Sequence, residues 1–148
     1  MSTYDFFIAG RWRNKDNIRP VLDAVRESGK TAYCFIENAY EEQELSFNAA
    51  GQEDIEQTML TSEQMDQDHP EIRKIFETDM AGQRASDTFL LVLPAGTAAH
   101  IEAGVSYGMG KKCYAIGKPE KTETLYCIFD KIFPDIPALQ TWLKEGGK

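Results

Sequence analysis

The chain has 148 residues, of which 42% are hydrophobic and 27% charged, so it is long enough for one domain with its own core and is neither disordered nor fibrous. Its formal net charge is −8, and no basic stripe with interleaved aromatic residues is present, which argues against a nucleic-acid-binding role. The longest apolar run, Phe89–Ala95, is far shorter than the roughly 20 residues of a transmembrane helix, so no membrane association is expected.

The cysteines and the amino terminus indicate the compartment. Residues 1–5 lack the basic and apolar regions of a signal peptide. Cys34, Cys113 and Cys127 each lie in an apolar run and show no CxxC spacing, so we expect buried thiols rather than a zinc site or a disulfide. The sequence therefore predicts a cytoplasmic protein.

The charges are unevenly distributed. No Lys or Arg occurs between Lys30 and Arg73, whereas eleven acidic residues lie from Glu37 to Glu71. Residues 38–69 are polar and only weakly periodic, which predicts a solvated acidic excursion from a single domain spanning residues 1–148. Basic residues gather instead after the first predicted strand, where a small anionic ligand stays possible.

The first part of the chain predicts two strands and a helix. The apolar run Tyr4–Ala9 ends at Gly10 and predicts a buried strand followed by a loop. Asp16 or Asn17 can cap the next segment, whose apolar residues recur at helical spacing until Ser28-Gly29. A second strand is predicted over residues 31–36.

The second part continues this alternation. From Pro70 the spacing predicts a helix with one stripe of residues, Ile72, Ile75, Phe76, Asp79, Met80 and Gln83. The unbroken run Phe89–Leu93 is typical of a central strand in a parallel sheet. Pro94-Ala95-Gly96 ends this strand, and Thr97 can cap a helix that extends to about Gly108. Further elements are predicted as strands over residues 112–117 and 124–129 and a closing helix over Pro137–Lys144.

Strands alternating with helices predict an α/β fold with one doubly wound, mostly parallel five-stranded sheet and helices on both faces. No internal repeat or linker interrupts it. In such sheets ligands bind outside the carboxyl ends of the strands. The residues that follow the first and third strands are therefore the first candidates for a site.

Two carboxylates interrupt the predicted patterns. Asp79 lies seven residues after Ile72 and four after Ile75, on the stripe expected to face the sheet, where a charge is costly unless it is paired, hydrogen-bonded or beside a cavity. Glu102 falls in the early turns of the helix after the central strand, where the helix dipole favours an ionised carboxylate. Their structural interpretations are a bonded or outward-rotated acid for Asp79 and an exposed helical residue for Glu102.

Other candidates surround the predicted strand ends. Arg11 and Arg13 flank Trp12, and this loop either offers forked donors and a flat ring to a ligand or is an exposed basic loop. Gly96 either shapes its turn or lets a ligand approach the backbone. His100 is a candidate acid/base or sugar-contacting group, with a surface role as the alternative. There is no Walker motif and no GxGxxG, so neither a P-loop NTPase nor a dinucleotide dehydrogenase is supported.

Together these features resemble the nucleoside 2-deoxyribosyltransferase family, which includes N-glycosidases that hydrolyse 2′-deoxynucleoside 5′-monophosphates. The resemblance rests on Phe7–Trp12, on Asp79 with Asp87 eight residues later, and on the stretch from Asp87 to Gly104 with its Pro-Ala-Gly turn and Glu-Ala-Gly element. It covers most of the chain outside residues 38–69.

The resemblance implies a set of roles. Glu102 matches the nucleophilic glutamate, and Asp79 matches the acid that assists proton transfer at the nucleobase, with no metal and no redox cofactor. The first loop from Gly10 is expected to lie against the substrate. Gly96 and Thr97 match the turn that contacts sugar or phosphate.

The chain also departs from the family. Phe7 stands where many members have a tyrosine that hydrogen-bonds near the nucleophile, and Gly96 stands where the transferases have a second acidic residue. These departures favour hydrolysis over transfer. His100 is a candidate replacement for one of the lost contacts.

By the same resemblance, the protein is expected to form a homodimer or larger homo-oligomer that binds a small nucleoside or nucleotide. Residues Glu123–Phe129 would complete a neighbour's pocket, with Tyr126 as a contact; alternatively this segment is core and Tyr126 is surface. Two other functions stay open: a non-catalytic nucleotide-binding module, and cleavage of the nicotinamide–ribose bond of NAD by a related glutamate-dependent site.

Overall fold

The structure is a computed structural model that describes residues 3–38 and 63–147. Within this part, five strands form one sheet in the order β2-β1-β3-β4-β5, and every neighbouring pair is parallel. The predicted α/β fold with a five-stranded sheet is confirmed. The strands are β1 (Tyr4–Ala9), β2 (Ala32–Cys34), β3 (Ser86–Val92), β4 (Lys112–Ile116) and β5 (Lys131–Phe133).

Helices cover both faces of this sheet. They are α1 (Lys15–Glu27), α2 (Pro70–Arg84), α3 (Thr97–Gly108) and α4 (Ile136–Lys144). Because successive strand residues point to opposite faces, Phe6, Ile8 and Leu90 join a core with α1 and α4. Phe7 and Phe89 join a second core that packs against α3.

Two helices begin earlier in the chain than predicted. The cap of α1 is Asn14, so Asp16 and Asn17 lie inside its first turn. The cap of α3 is Gly96, and Thr97 is already helical. Helix α1 begins early because a 3-10 turn, Trp12–Asn14, leads directly into it.

The segment 124–129 was predicted as a strand, and this prediction is wrong. Residues Thr124–Ile128 form a 3-10 helix, and the fifth strand is Lys131–Phe133, which pairs with β4. This edge strand buries only Phe133, so its apolar signal is weak. Cys127 is exposed, contrary to prediction, whereas Cys34 and Cys113 are buried thiols.

The orientation of α2 also differs from the prediction. Its buried residues are Glu71, Gly82 and Gln83, whereas Phe76 in the expected core stripe is nearly half exposed. The helix is therefore rotated so that the Asp79 side of its surface lies beside a cleft. Most of the predicted acidic excursion, residues 39–62, lies outside the described residues. In the part of the chain that is described, no helix has the length and apolar character needed to span a bilayer.

Candidate active site

A cleft of about 580 Å³ opens at the carboxyl ends of β1 and β3. The chain runs outward from these two strands in opposite directions along the sheet, so the cleft lies at the topological switch point, where doubly wound sheets bind ligands. Its walls come from the loop after β1, the middle of α2 and the start of α3. The lining residues are Gly10, Arg11, Trp12, Arg13, Phe35, Glu63, Ile75, Asp79, Gly96, Thr97, Ala98, Ala99 and Glu102.

The two glycines on the cleft wall act differently. A Cβ at Gly10 would lie 2.7 Å from Ile18 Cδ1, so a larger residue here would force the Ile18 side chain to move. A Cβ at Gly96 would meet no atom within 4 Å. The position of Gly96 therefore has space beside it for a side chain or for a ligand.

Asp79 is held by two donors from the end of β2. The Tyr33 hydroxyl donates a hydrogen bond to Asp79 Oδ1 at 3.0 Å. Asn38 Nδ2 donates to the same oxygen at 3.3 Å and to the Tyr33 hydroxyl oxygen at 2.8 Å. Donors of this kind stabilise a carboxylate in its ionised form. The alternative of a buried acid bonded to a backbone amide is thus replaced by side-chain hydrogen bonds beside a cleft.

Phe7 supports this arrangement from behind. It is 2% exposed and does not line the cleft. Its ring stacks on Tyr33 at 5.2 Å and on Phe89 at 5.7 Å between centroids. The predicted substrate contact at Phe7 is therefore absent from this wall, and the phenol nearest the carboxylates comes from Tyr33, which is paired with Phe7 across the sheet.

Glu102 projects into the cleft from the second turn of α3 and is half-buried. Burial and, to a lesser extent, the negative charge of Asp79 together raise the pKa of Glu102 to about 8. At neutral pH Glu102 therefore holds a proton in the empty site. A pair of carboxyl groups with one proton can act as base or nucleophile and as acid in the same reaction.

The basic loop is already partly neutralised. Glu63 accepts hydrogen bonds from Arg13 at 3.0 Å and from Trp12 Nε1 at 3.3 Å. The Arg13 guanidinium also lies over the Trp12 ring, 4.4 Å from its centroid. Arg11 is exposed and, within residues 3–38 and 63–147, forms no ion pair. Of the two predicted arginines, Arg11 is the one whose charge is available to a ligand.

His100 and Tyr126 contact each other rather than the carboxylates. They line a separate depression of about 310 Å³ beside the main cleft. His100 Nδ1 lies 2.8 Å from the Gly96 carbonyl oxygen, which can only accept, so Nδ1 carries the proton. Nε2, 2.9 Å from the Tyr126 hydroxyl, then accepts from it. The pair ties the Gly96 turn to the 3-10 helix, so the structure does not bring either residue to the cleft wall.

Several residues of the site were not predicted. Tyr33 and Asn38 hold Asp79, while Phe35, Glu63 and Ile75 line the cleft. The available signal was that Tyr33 and Asn38 lie in or just after the second strand, whose carboxyl end meets the same edge of the sheet. The described residues contain no group of three or more His, Cys, Asp or Glu side chains that could hold a metal ion.

Comparisons with known proteins agree with this fold. The solved structure of the 2-deoxyribosyltransferase from the psychrotolerant bacterium Bacillus psychrosaccharolyticus matches with a TM-score of 0.59, over 92% of this chain and 90% of that one. The two sequences are 16% identical, so the likeness shows the fold. That enzyme is described as a biocatalyst for the synthesis of nucleosides. Neither a family model nor a curated protein matches the chain.

Proposed function

We propose that the protein cleaves the N-glycosidic bond of a nucleoside or nucleoside 5′-monophosphate, with Glu102 as nucleophile and Asp79 as the acid at the departing base. The observation that carries this proposal is that two acids 23 residues apart, on different helices, line one cleft. The electrostatic coupling between them supports it. The 2-deoxyribosyltransferase fold provides independent support.

The proposed reaction follows the retaining glycosidase scheme. A carboxylate oxygen of Glu102 forms a bond to the anomeric carbon, while the bond from that carbon to the base nitrogen breaks and its electron pair leaves with the base. The base takes up a proton through Asp79. Water then attacks the same carbon, gives one proton to Asp79 and displaces Glu102, which releases the free sugar.

The presence of one proton on the Asp79–Glu102 pair suits these reaction steps. The nucleophile has to be ionised, and the acid has to carry a proton, when the glycosidic bond breaks. A pair that holds one proton meets both needs once the proton has moved from Glu102 to Asp79 or to the base. Hydrogen bonds from Tyr33 and Asn38 hold the Asp79 carboxyl group in place for this proton transfer.

The remaining walls suit a nucleotide. Trp12 offers a flat ring for the base, and Arg11 offers an uncompensated charge for a 5′-phosphate. Gly96 provides no second carboxylate, which supports hydrolysis rather than transfer. The reaction needs no metal and no redox cofactor, and we place it in the cytoplasm.

We further propose that the enzyme works as a homodimer or larger homo-oligomer. Large apolar side chains are exposed on α3 and on the following 3-10 helix: Ile101 is 61%, Tyr107 56% and Leu125 77% exposed. A second copy covering them would bring its own Tyr126 segment near the site. Light scattering with and without Leu125→Asp tests this, and a monomeric wild type would contradict it.

The central experiment measures base release from deoxynucleosides and their 5′-monophosphates by wild type and Glu102→Ala. We expect release by wild type and a loss of about 10³-fold or more in the variant, since a nucleophile is removed. Glu77→Ala, which removes an exposed glutamate on α2, should retain full activity. Unchanged turnover in Glu102→Ala removes this residue from the mechanism.

The same assay separates the alternatives. Release of nicotinamide from NAD, with no release from nucleosides, would favour the NAD-cleaving reaction. Thermal shifts with nucleotides but no base release from any substrate would favour a binding module. Either result contradicts the proposed reaction.

A further inference from the structure

We infer that Gln83 is a positioning residue that fixes the Glu102 backbone relative to Asp79, and this inference rests on the proposed function of that pair. Gln83 was part of a predicted helical stripe with no role of its own. It lies on α2 four residues after Asp79, so the two side chains project from the same side of the helix.

The contacts of Gln83 join the two catalytic helices. Its amide Nε2 donates a hydrogen bond of 2.6 Å to the main-chain carbonyl oxygen of Glu102 and another of 2.6 Å to Ser106 Oγ. Both acceptors lie on α3, one turn apart. Gln83, one turn after Asp79, therefore binds the backbone of Glu102, the residue that is proposed to work with Asp79.

The chemistry of the site fixes the direction of the amide. A main-chain carbonyl can only accept, so the atom facing Glu102 O must be the nitrogen. The other end of the amide, Gln83 Oε1, is buried without a hydrogen-bond partner among the described residues. Gln83 itself is 0% exposed.

An unpartnered buried oxygen destabilises a fold, and a methionine of nearly the same length would fill this space without one. What methionine cannot supply is the donor to Glu102 O. The unpartnered Oε1 offsets part of the stability that the two hydrogen bonds of Nε2 supply, so the fold gains little from the amide. The bond to the Glu102 backbone instead positions the proposed nucleophile. Misplacement of a reacting group by about 1 Å is enough to lower a rate by about 100-fold.

The test compares Gln83→Met with Ser106→Ala. In Gln83→Met we expect kcat for base release to fall by about 10- to 100-fold, with KM changed less than 3-fold (about the scatter of such measurements) and thermal stability retained. Ser106→Ala removes only the second acceptor and keeps the bond to Glu102 O, so its kcat should stay close to wild type.

Three outcomes overturn the inference. The first is a wild-type kcat in Gln83→Met, and the second is an equal loss of kcat in both variants, which would assign the effect to core packing. The third is a loss explained entirely by unfolded protein in Gln83→Met.

A second readout does not depend on activity. The Glu102 carboxyl carbon, observed by NMR in protein labelled with ¹³C-glutamate, reports the pKa of Glu102 directly. We expect that pKa to be lower in Gln83→Met than in wild type, because a less firmly held α3 exposes the Glu102 carboxyl to water and moves it away from Asp79. An unchanged pKa overturns the inference, whereas a wild type without base release but with this shift leaves it standing and refutes the proposed function alone.

Discussion

The Tyr33 hydroxyl donates a hydrogen bond of 3.0 Å to Asp79 Oδ1, although 46 residues separate them in the chain. Tyr33 in β2 pairs with Phe7 in β1, and Phe7 occupies the position at which the resemblance expects a tyrosine. Asn38 adds a second donor to the same oxygen. A phenol hydroxyl thus reaches Asp79 from the neighbouring strand β2. Burial and the Asp79 charge raise the pKa of Tyr33, so its hydroxyl keeps the proton that it donates at neutral pH.

We expect Tyr33→Phe to lower kcat/KM for base release by about 10-fold or more, since positioned acid–base groups contribute at least about 100-fold and this one loses a donor rather than the acid itself. The stack on Phe7 is kept, so folding should be little affected. Tyr4→Phe is the matched control, because the Tyr4 ring touches Tyr33 edge-on and its hydroxyl has no role in the site. Equal activity of both variants would assign Tyr33 to packing alone.

The pH dependence of kcat/KM tests the proposal that Asp79 and Glu102 hold one proton between them during the reaction. The pair loses its last proton as pH rises through about 8, the raised pKa of Glu102. Since cleavage needs one proton and one carboxylate, activity should be high near neutral pH and fall above pH 8. An increase of activity through this range would show that Glu102 acts as an isolated nucleophile.

Asp79→Asn should remove this alkaline decline. Without the neighbouring negative charge the pKa of Glu102 is lower than in wild type. The amide at position 79 also has no carboxyl proton to donate. We expect overall activity to fall by about 100-fold or more and then to depend on pH only through ionisation of Glu102. Rates measured from pH 5 to 10 check this, and a wild-type alkaline limb in the variant would contradict it.

Glu102→Gln should stabilise the protein at alkaline pH. The pKa of Glu102 is about 8 when folded against an ordinary value of 4.5, so between these values the folded state holds a proton that the unfolded state lacks. Stability from this group is full below pH 4.5 and is lost as pH rises to about 8. The variant cannot lose it. Because the Glu102 side chain is partly exposed and water screens its charge, we expect only part of the full linkage energy, about 1 kcal/mol, or a Tm about 4 °C above that of wild type at alkaline pH.

At pH 4.5 the two proteins should unfold at nearly the same temperature, because Glu102 is then protonated in the folded wild type. Scanning calorimetry at both pH values measures the difference. Glu77→Gln, at an exposed position, is the control and should show no such pH dependence. A Tm difference that is the same at both pH values would show that Glu102 is not destabilised by ionisation.

Gly82→Ala should damage the site more than the fold. A Cβ at Gly82 would lie 2.7 Å from two atoms of the Tyr33 ring, so the ring must move away from Asp79. We expect kcat/KM to fall by about 10-fold, as for Tyr33→Phe. Gly108→Ala, at a helical glycine with no atom within 4 Å of the added Cβ, should leave activity unchanged. Comparable activity in both variants would contradict the close packing of Tyr33 on α2.

Lys111→Met should destabilise the fold. The Lys111 ammonium donates to the carbonyl oxygens of Gln83, Arg84 and Ser86, which closes the carboxyl end of α2 against the start of β3. Losing these bonds should cost about 1–3 kcal/mol of unfolding free energy. Lys112→Met, which removes only an exposed ion pair with Asp130, should change stability little. Urea titrations of both variants measure the difference, and equal midpoints would contradict the capping role.

Local sequence patterns predicted most of the sheet. The unbroken run Phe89–Leu93 and the apolar run Tyr4–Ala9 both became buried central strands, because a strand covered on both faces needs apolar residues throughout. The short edge strand β5 was misplaced, because it buries one residue and has little pattern to read. The stripe of α2 was assigned to the core for a related reason: spacing defines which residues share a helical face, but it does not determine which way that face points.

The amino-acid sequence alone identified Asp79 and Glu102 as candidates, because each carboxylate interrupts a local pattern of apolar or small residues. It could not reveal Tyr33, Asn38 and Glu63 as their neighbours, because each belongs to a different element and meets the cleft only when parallel strands bring their carboxyl ends to one edge. The raised pKa of Glu102 is likewise a property of the assembled fold, since it depends on burial and on the nearby charge of Asp79, which no local pattern contains.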